Sequence, residues 1–191
     1  MAKIKNEKTS AEIKDMLKYA IKNNVDLAKE GKRTIAYEIE GMPGIAKTAI
    51  TEQVSAEFDH HFVRLNLSEI DVCDLIGLPM YEYEIIKKGE TKWVSDKVLT
   101  AMVASGWDAT GHARTSYAKP FWIHGKEDKP IILNLDDYNR CSPMMTNACM
   151  TIIAEGRYAS WALPQGSTVI LTCNPSDSDF FVQAEDSAQE T

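Results

Sequence analysis

The chain has 191 residues, 44% hydrophobic and 26% charged, which suits one core-forming soluble domain with a small extension. A net charge of −7 argues against coating nucleic acid through general basicity, though not against a local basic surface. No apolar run is long enough to cross a bilayer, and the basic N-terminus is followed by no apolar stretch, so no membrane span or signal peptide is expected and a cytoplasmic address is.

Residues 1–9 are polar and read as a flexible N-terminus. Thr9 and Glu12 have capping-box spacing, and Ile13, Met16, Leu17, Ala20 and Ile21 follow at helical intervals, predicting a helix over about 10–24. Residues 34–39 predict a strand that Gly41-Met-Pro-Gly44 breaks, and a second helix is expected from Lys47 to about Phe58. Residues 61–67 predict a second strand. Tyr81, Tyr83 and Ile85 alternate, residues 87–90 could turn, and Thr91 to Val94 could return, giving a hairpin. A short helix is expected over 97–104, then a long loop over 105–129, rich in Gly, Pro and polar residues.

Residues 130–135 predict a buried strand ending in Asp136 and Asp137. Ser142-Pro143 opens a helix whose face is Met145, Ala148, Cys149, Ile152 and Ile153, and Gly156 closes it. Residues 161–166 read as a turn-containing connection, and residues 168–173 as an apolar strand ending at Asn174-Pro175. Apolar strands alternating with helices predict an α/β domain with a largely parallel sheet. Cys73, Cys141, Cys149 and Cys173 form no CxxC pair and are expected to be small buried hydrophobes. The four histidines show no metal-ligand spacing.

The run Gly41-Met-Pro-Gly-Ile-Ala-Lys-Thr48, lying between a strand and a helix, is a P-loop. Such a turn points backbone N–H groups at phosphate oxygens, and the helix dipole adds to the attraction. The expected nucleotide-binding residues are Gly41, Met42, Pro43, Gly44, Ile45, Ala46, Lys47, Thr48 and Ala49. Lys47 would reach the β/γ-phosphates of ATP, and the Thr48 hydroxyl would bind Mg²⁺. Ala46 stands where such loops carry glycine; its methyl is tolerable if the backbone there is near-helical and uncrowded.

A P-loop ATPase needs a carboxylate for Mg²⁺ at the end of another buried strand, and Asp136 fills that place. Asp137 would orient the attacking water, and Asn174, ending the last strand, would hold that water or the γ-phosphate. Asp137 and Asn174 are therefore candidate catalytic residues, with Thr48 and Asp136 as the metal ligands.

The run Asp136-Asp-Tyr-Asn-Arg140, then Glu155-Gly-Arg157, Leu163-Pro164 and Asn174-Pro175, resembles the MoxR-like branch of AAA+ ATPases of the dynein-related type. Asp74-Leu-Ile-Gly-Leu-Pro79 followed by Thr91-Lys-Trp93 fits the same branch. The resemblance spans about Ser10 to Gln189, making residues 10–191 the nucleotide-binding core with an insertion over about 68–129. It implies a five-stranded αβα sandwich, a ring (usually a hexamer), and ATP-driven chaperone-like remodelling of a protein partner, with von Willebrand factor A-type partners common. It implies a role for Arg140 at the subunit interface or the neighbouring site, which makes it the third candidate catalytic residue, with Arg157 a weaker candidate, and a sensor 1 role for Asn174. Trp93, Trp107, Phe121 and Trp122 in the insertion become candidate partner contacts, or simply cover for the core.

Family members carry glutamate where Asp137 stands, one methylene longer. They also continue towards an arginine finger, a helical lid and a sensor 2 arginine, whereas this sequence ends at Thr191, so the lid is expected to be absent. Two functions stay open on these residues: an active ATPase that remodels a partner, or a nucleotide-binding scaffold or switch with little hydrolysis. A DNA-translocating ATPase is a third reading, without a basic stripe to support it.

Overall fold

A computed structural model describes residues 8–175 of the chain. The first helix, α1 (Ser10–Lys29), starts on the capping box read from sequence: the Thr9 hydroxyl accepts from the Glu12 amide, and the Glu12 carboxylate accepts from the Thr9 amide. It runs past the expected end at Asn24 because Asn24 is satisfied inside the fold. Its side-chain amide donates to the Ile35 carbonyl and the Thr168 hydroxyl, and its oxygen accepts from the Ile35 amide. The side chain thus substitutes for a backbone neighbour and ties the segment before the first strand to the last one.

Strand β1 (Tyr37–Glu40), helix α2 (Lys47–Glu57) and strand β2 (His61–Asn66) follow. The chain continues through α3 (Val72–Ile76), β3 (Pro79–Lys87), β4 (Glu90–Ser95), α4 (Asp96–Ala104) and β5 (Asp108–Tyr117). Then come β6 (Ile131–Asp136), a 3₁₀ turn at Tyr138–Arg140, α5 (Pro143–Glu155), β7 (Arg157–Tyr158), β8 (Trp161–Ala162) and β9 (Thr168–Cys173).

The main sheet has four parallel strands in the order β1-β9-β6-β2. The two central strands, β6 and β9, are buried at every position, so they show continuous apolar runs instead of alternation. The expected count of five parallel strands is not met: four are present among the described residues.

One sheet face packs Leu17 and Ile21 of α1 and Ile50 and Val54 of α2 against Ile39, Ile132 and Ile170. The other packs Leu75 of α3 and Met145, Cys149 and Ile152 of α5 against Leu65, Ile131, Leu133 and Leu135. Period-two alternation along β6 sends Ile132 to the first face and Leu133 to the second, which makes three αβα layers.

The insertion over 68–129 departs most from expectation. The predicted hairpin is present, with Lys88 and Gly89 both at positive φ, as a two-residue primed turn requires. The expected long loop is instead partly strand: β5 pairs antiparallel with β3, completing a sheet in the order β4-β3-β5. Most of its side chains are exposed and its one buried side chain, Ser116, is polar, so no apolar alternation marks it in sequence, and backbone pairing to β3 makes it a strand. Residues 161–166, expected as a connection, carry the short β8, paired with β7. Gly77 is needed for close approach: a side-chain carbon there would overlap the Ala118 carbonyl oxygen.

The aromatic candidates of the insertion divide. Trp122 is 2% exposed and its indole N–H donates to the Leu75 carbonyl, so it is core and not a partner contact. Trp107 is also buried, with Lys92 over its ring, and Arg114 lies over Trp93. Phe121 alone of the four is strongly exposed, at 69%. Among the cysteines, Cys149 and Cys173 are buried and burial pushes each thiol up to about 12, which makes them inert. Cys141 is intermediate, and Cys73 is exposed, against expectation; it lies in the first turn of the short α3, at the surface.

Candidate functional site

In a parallel sheet all strand C-termini lie along one edge, and here three of them converge. The P-loop leaves β1, Asp136 and Asp137 end β6, and Asn174 ends β9. The Gly41 amide donates to the Cys173 carbonyl (3.1 Å), continuing the β1–β9 pairing and fixing the loop beside Asn174.

Gly41 and Gly44 differ in what they demand. A side-chain carbon at Gly41 would meet only the end of the exposed Ile45 side chain, which can move aside, while Gly44 has φ +82°, which favours glycine whatever the space around it. Ala46 is left-handed, φ 65° and ψ 27°, so the near-helical backbone that would make its methyl easily tolerable is not present there. Its carbonyl accepts the first helical bond, from Ile50, and no side chain caps the start of α2. The first N–H groups of α2 therefore face outward as donors that suit an anion.

The left-handed region costs an L-residue about 1–2 kcal/mol, while glycine adds only its unfolded-chain entropy, about 0.5–1 kcal/mol. Ala46→Gly is thus expected to stabilise the chain by roughly 0.5–1 kcal/mol. A denaturant melt of the two proteins checks this, and a lower midpoint in the variant would contradict the strain.

Lys47 folds over the loop. Its ammonium donates to the Gly41 carbonyl (2.6 Å), the Met42 carbonyl (3.2 Å) and Asn174 Oδ1 (3.0 Å). Burial lowers its pKa, against the opposing charges of Asp136 and Asp137. Thr48 Oγ1 lies 3.3 Å from Asp136 Oδ2. The Asp136 carboxylate also accepts from Thr172 Oγ1 through Oδ1, and from Arg64 Nε (2.8 Å) and Nη2 (2.7 Å) through Oδ2. Burial raises its pKa, but the bonds from Thr172 and Arg64 and the Arg64 charge outweigh it, and the net shift is downward. Asp136 is therefore a firm carboxylate at neutral pH.

Asn174 bridges the two halves of the site: its oxygen meets Lys47 and its Nδ2 donates to Asp137 Oδ1 at 3.1 Å. Asp137 itself is left-handed, φ 54° and ψ 38°, a conformation Asp adopts more readily than most residues. Arg140 Nη1 stands 3.8 Å from Asp137 Oδ2, and Asn139 donates to the Asn174 carbonyl at 2.7 Å. The structure thus brings together Gly41, Lys47, Thr48, Asp136, Asp137, Arg140 and Asn174. Arg157 lies apart, paired with Glu155 at the far end of α5, about 20 Å of helix from the site.

Three participants were missed: Arg64, Thr172 and Asn139. The signal at Arg64 is slight: a single basic residue in the strand His61-Phe-Val-Arg-Leu-Asn66, at an exposed position that does not of itself demand a carboxylate partner. Thr172 shares a strand face with Asn174 by period two. Among the described residues no group of three or more His, Cys, Asp or Glu side chains forms a ready-made metal site. The Thr48 hydroxyl beside an ionised Asp136 does suit a hard cation that takes its other ligands from phosphate and water.

A P-loop at the edge of a three-layer αβα sheet, with acids ending one neighbouring strand and an amide ending another, defines a P-loop nucleotide-binding domain. Residues 39–183 match the AAA domain of the dynein-related subfamily, AAA_5, and the chain belongs to that family. Nucleotide binding and ATPase-type chemistry are the activity class this membership carries. No curated protein sequence matches the chain. Among solved structures, a crystal structure from Cytophaga hutchinsonii, described as "a putative ATPase", is similar at 17% identity with a TM-score of 0.41. That match covers 89% of this chain and 48% of the other, so this chain spans about half that protein's length. No helix among the described residues is long and apolar enough to cross a membrane.

Proposed function

We propose that the chain binds Mg²⁺-ATP and hydrolyses it, as a MoxR-like AAA core that assembles into a ring and remodels a protein partner. The observation that carries this reading is the continuous polar chain Thr48–Asp136 on one side and Lys47–Asn174–Asp137 on the other. Lys47 binds the β/γ-phosphates in place of the loop carbonyls it now meets, and the uncapped start of α2 holds the remaining phosphate oxygens. Thr48 and Asp136 hold Mg²⁺, which when bound neutralises charge on the phosphates. Asp137 accepts a hydrogen bond from the attacking water and sets its direction, while Asn174 orients the Asp137 carboxylate. Arg140 lies close enough to Asp137 to report on that carboxylate from a subunit boundary.

A second reading, a nucleotide-binding switch with little turnover, is favoured by one observation: Asp137 has the short side chain, and both of its oxygens already face Asn174 and Arg140. Steady-state phosphate release by the wild type and Asp137→Glu separates the two. The extra methylene is expected to raise turnover about tenfold, a gain of ~1.4 kcal/mol in transition-state positioning. The same change should lower stability by up to about 1 kcal/mol, because glutamate fits the left-handed backbone less readily than aspartate. Turnover equal to or below wild type would show that carboxylate reach does not limit this site.

A further inference from the structure

Asp136 offers two oxygens, and they are not equivalent. Oδ1 faces Thr172, whereas Oδ2 faces both Thr48 and the Arg64 guanidinium, which grips it with two nitrogens. Oδ2 is thus the oxygen nearest the other proposed Mg²⁺ ligand and also the one Arg64 takes. A guanidinium and a divalent cation cannot both sit on one carboxylate oxygen without strong repulsion. The two partners differ in freedom: the Arg64 side chain is 53% exposed, the Asp136 side chain 12%. The arginine is therefore the partner with room to move, while the carboxylate stays fixed.

A place to leave to is present. Arg64 on β2 is in register with Asn134 on β6, and Asn134 lies two residues before Asp136 on the same strand face. Both polar atoms of the Asn134 side chain are buried and without a hydrogen-bond partner. An amide buried mid-strand with neither end satisfied is costly unless a partner arrives in some state of the protein.

We propose that Arg64 is a positioning residue that clasps Asp136 and competes with Mg²⁺ for it, moving towards the Asn134 amide oxygen when the metal-bound nucleotide loads. The clasp lowers the metal affinity of the site and couples loading to a move of the Arg64 side chain. This inference rests on the Mg²⁺-ATP reading above, and its test is arranged to separate the two.

The full chain is saturated with ADP, and Mn²⁺ is titrated with paramagnetic resonance as the readout of free metal. Arg64→Met is expected to tighten Mn²⁺ binding about tenfold, and Arg64→Lys, which keeps the charge without the two-nitrogen grip, about threefold. Asn134→Leu, with no acceptor to receive the guanidinium, is expected to weaken Mn²⁺ binding about threefold. Metal-free melts supply a second readout: Arg64→Met melts below wild type, and Mn²⁺ with ADP raises its Tm by more than it raises that of wild type. Unchanged or weaker Mn²⁺ binding in Arg64→Met that binds ADP normally overturns the clasp. Should that variant fail to fold, Arg64→Lys decides by the same criterion. Unchanged Mn²⁺ binding in Asn134→Leu overturns the role given to the amide. If wild type itself binds no ADP in a metal-free titration, the nucleotide reading falls and the clasp with it.

Discussion

Lys47→Ala is expected to reduce ATP affinity about 100-fold and phosphate release by at least as much, while leaving the fold almost as stable as before. The first part follows from charge: hydrogen bonds from a cation to phosphate are worth about 1.5–3 kcal/mol, and Lys47 is the cation proposed to meet the phosphates. The second part follows from where the side chain now rests. Its ammonium donates to the Gly41 and Met42 carbonyls and to Asn174 Oδ1, and the Met42 contact is exposed to solvent. Water can replace the lysine at those acceptors, and burial already penalises its charge, so its removal should change stability by less than about 1 kcal/mol. Equilibrium titration with a fluorescent ATP analogue, phosphate release and a denaturant melt measure the three quantities on one preparation. A wild-type rate of phosphate release no higher than that of the variant, at any protein concentration, would remove hydrolysis from the proposed function and leave the switch.

The elements that the sequence made legible are those whose signal is local. The capping box at Thr9–Glu12, the P-loop between β1 and α2, the apolar runs of β6 and β9, and Ser142-Pro143 at the start of α5 each carry a pattern within a few residues. The placing of Asp136, Asp137 and Asn174 at strand ends beside the P-loop was legible for the same reason, because a parallel sheet sends its strand C-termini to one edge. Strand β5 was not legible, since its side chains face solvent and what makes it a strand is pairing with β3, an element separated from it by β4 and α4. The left-handed backbone at Ala46 and Asp137 was also hidden, because neither residue type demands it and the surrounding loop imposes it.

Arg64 shows the more general limit. Its partner Asp136 lies 72 residues away, and nothing in the strand around it says which acid it will meet. The parallel register of β2 against β6 makes the pairing, and with it a contact that the motif-by-motif reading of the acids did not contain. The expected residues are those proposed to bind phosphate and metal; the unexpected one, in the clasp proposed above, bears on how readily the metal arrives.

Asp136→Asn tests the whole arrangement, because four donors converge on that carboxylate: Arg64 through two nitrogens, Thr172 and Thr48. The amide keeps the shape but presents one acceptor and an NH₂ group. The threonine hydroxyls can rotate to accept from that group, whereas a guanidinium cannot accept at all. Arg64 therefore either takes the remaining oxygen or turns to solvent, and the expected cost is about 1–3 kcal/mol of stability. The pH dependence carries the sign. Asp136 has a native pKa below its ordinary 3.8, so its contribution is fully present above that value and is lost as pH falls through the lowered native one. The neutral amide of the variant does not titrate, so the acid limb of the stability profile should flatten. Metal-dependent phosphate release should fall at least 100-fold, about 2.7 kcal/mol, because a neutral amide holds a hard dication poorly. Metal-free nucleotide binding should stay within about threefold of wild type, since Lys47 and the start of α2 are untouched. Loss of metal-free binding together with turnover would mean that Asp136 shapes the P-loop itself, and the division of labour proposed between Lys47 for phosphate and Asp136 for metal would not hold.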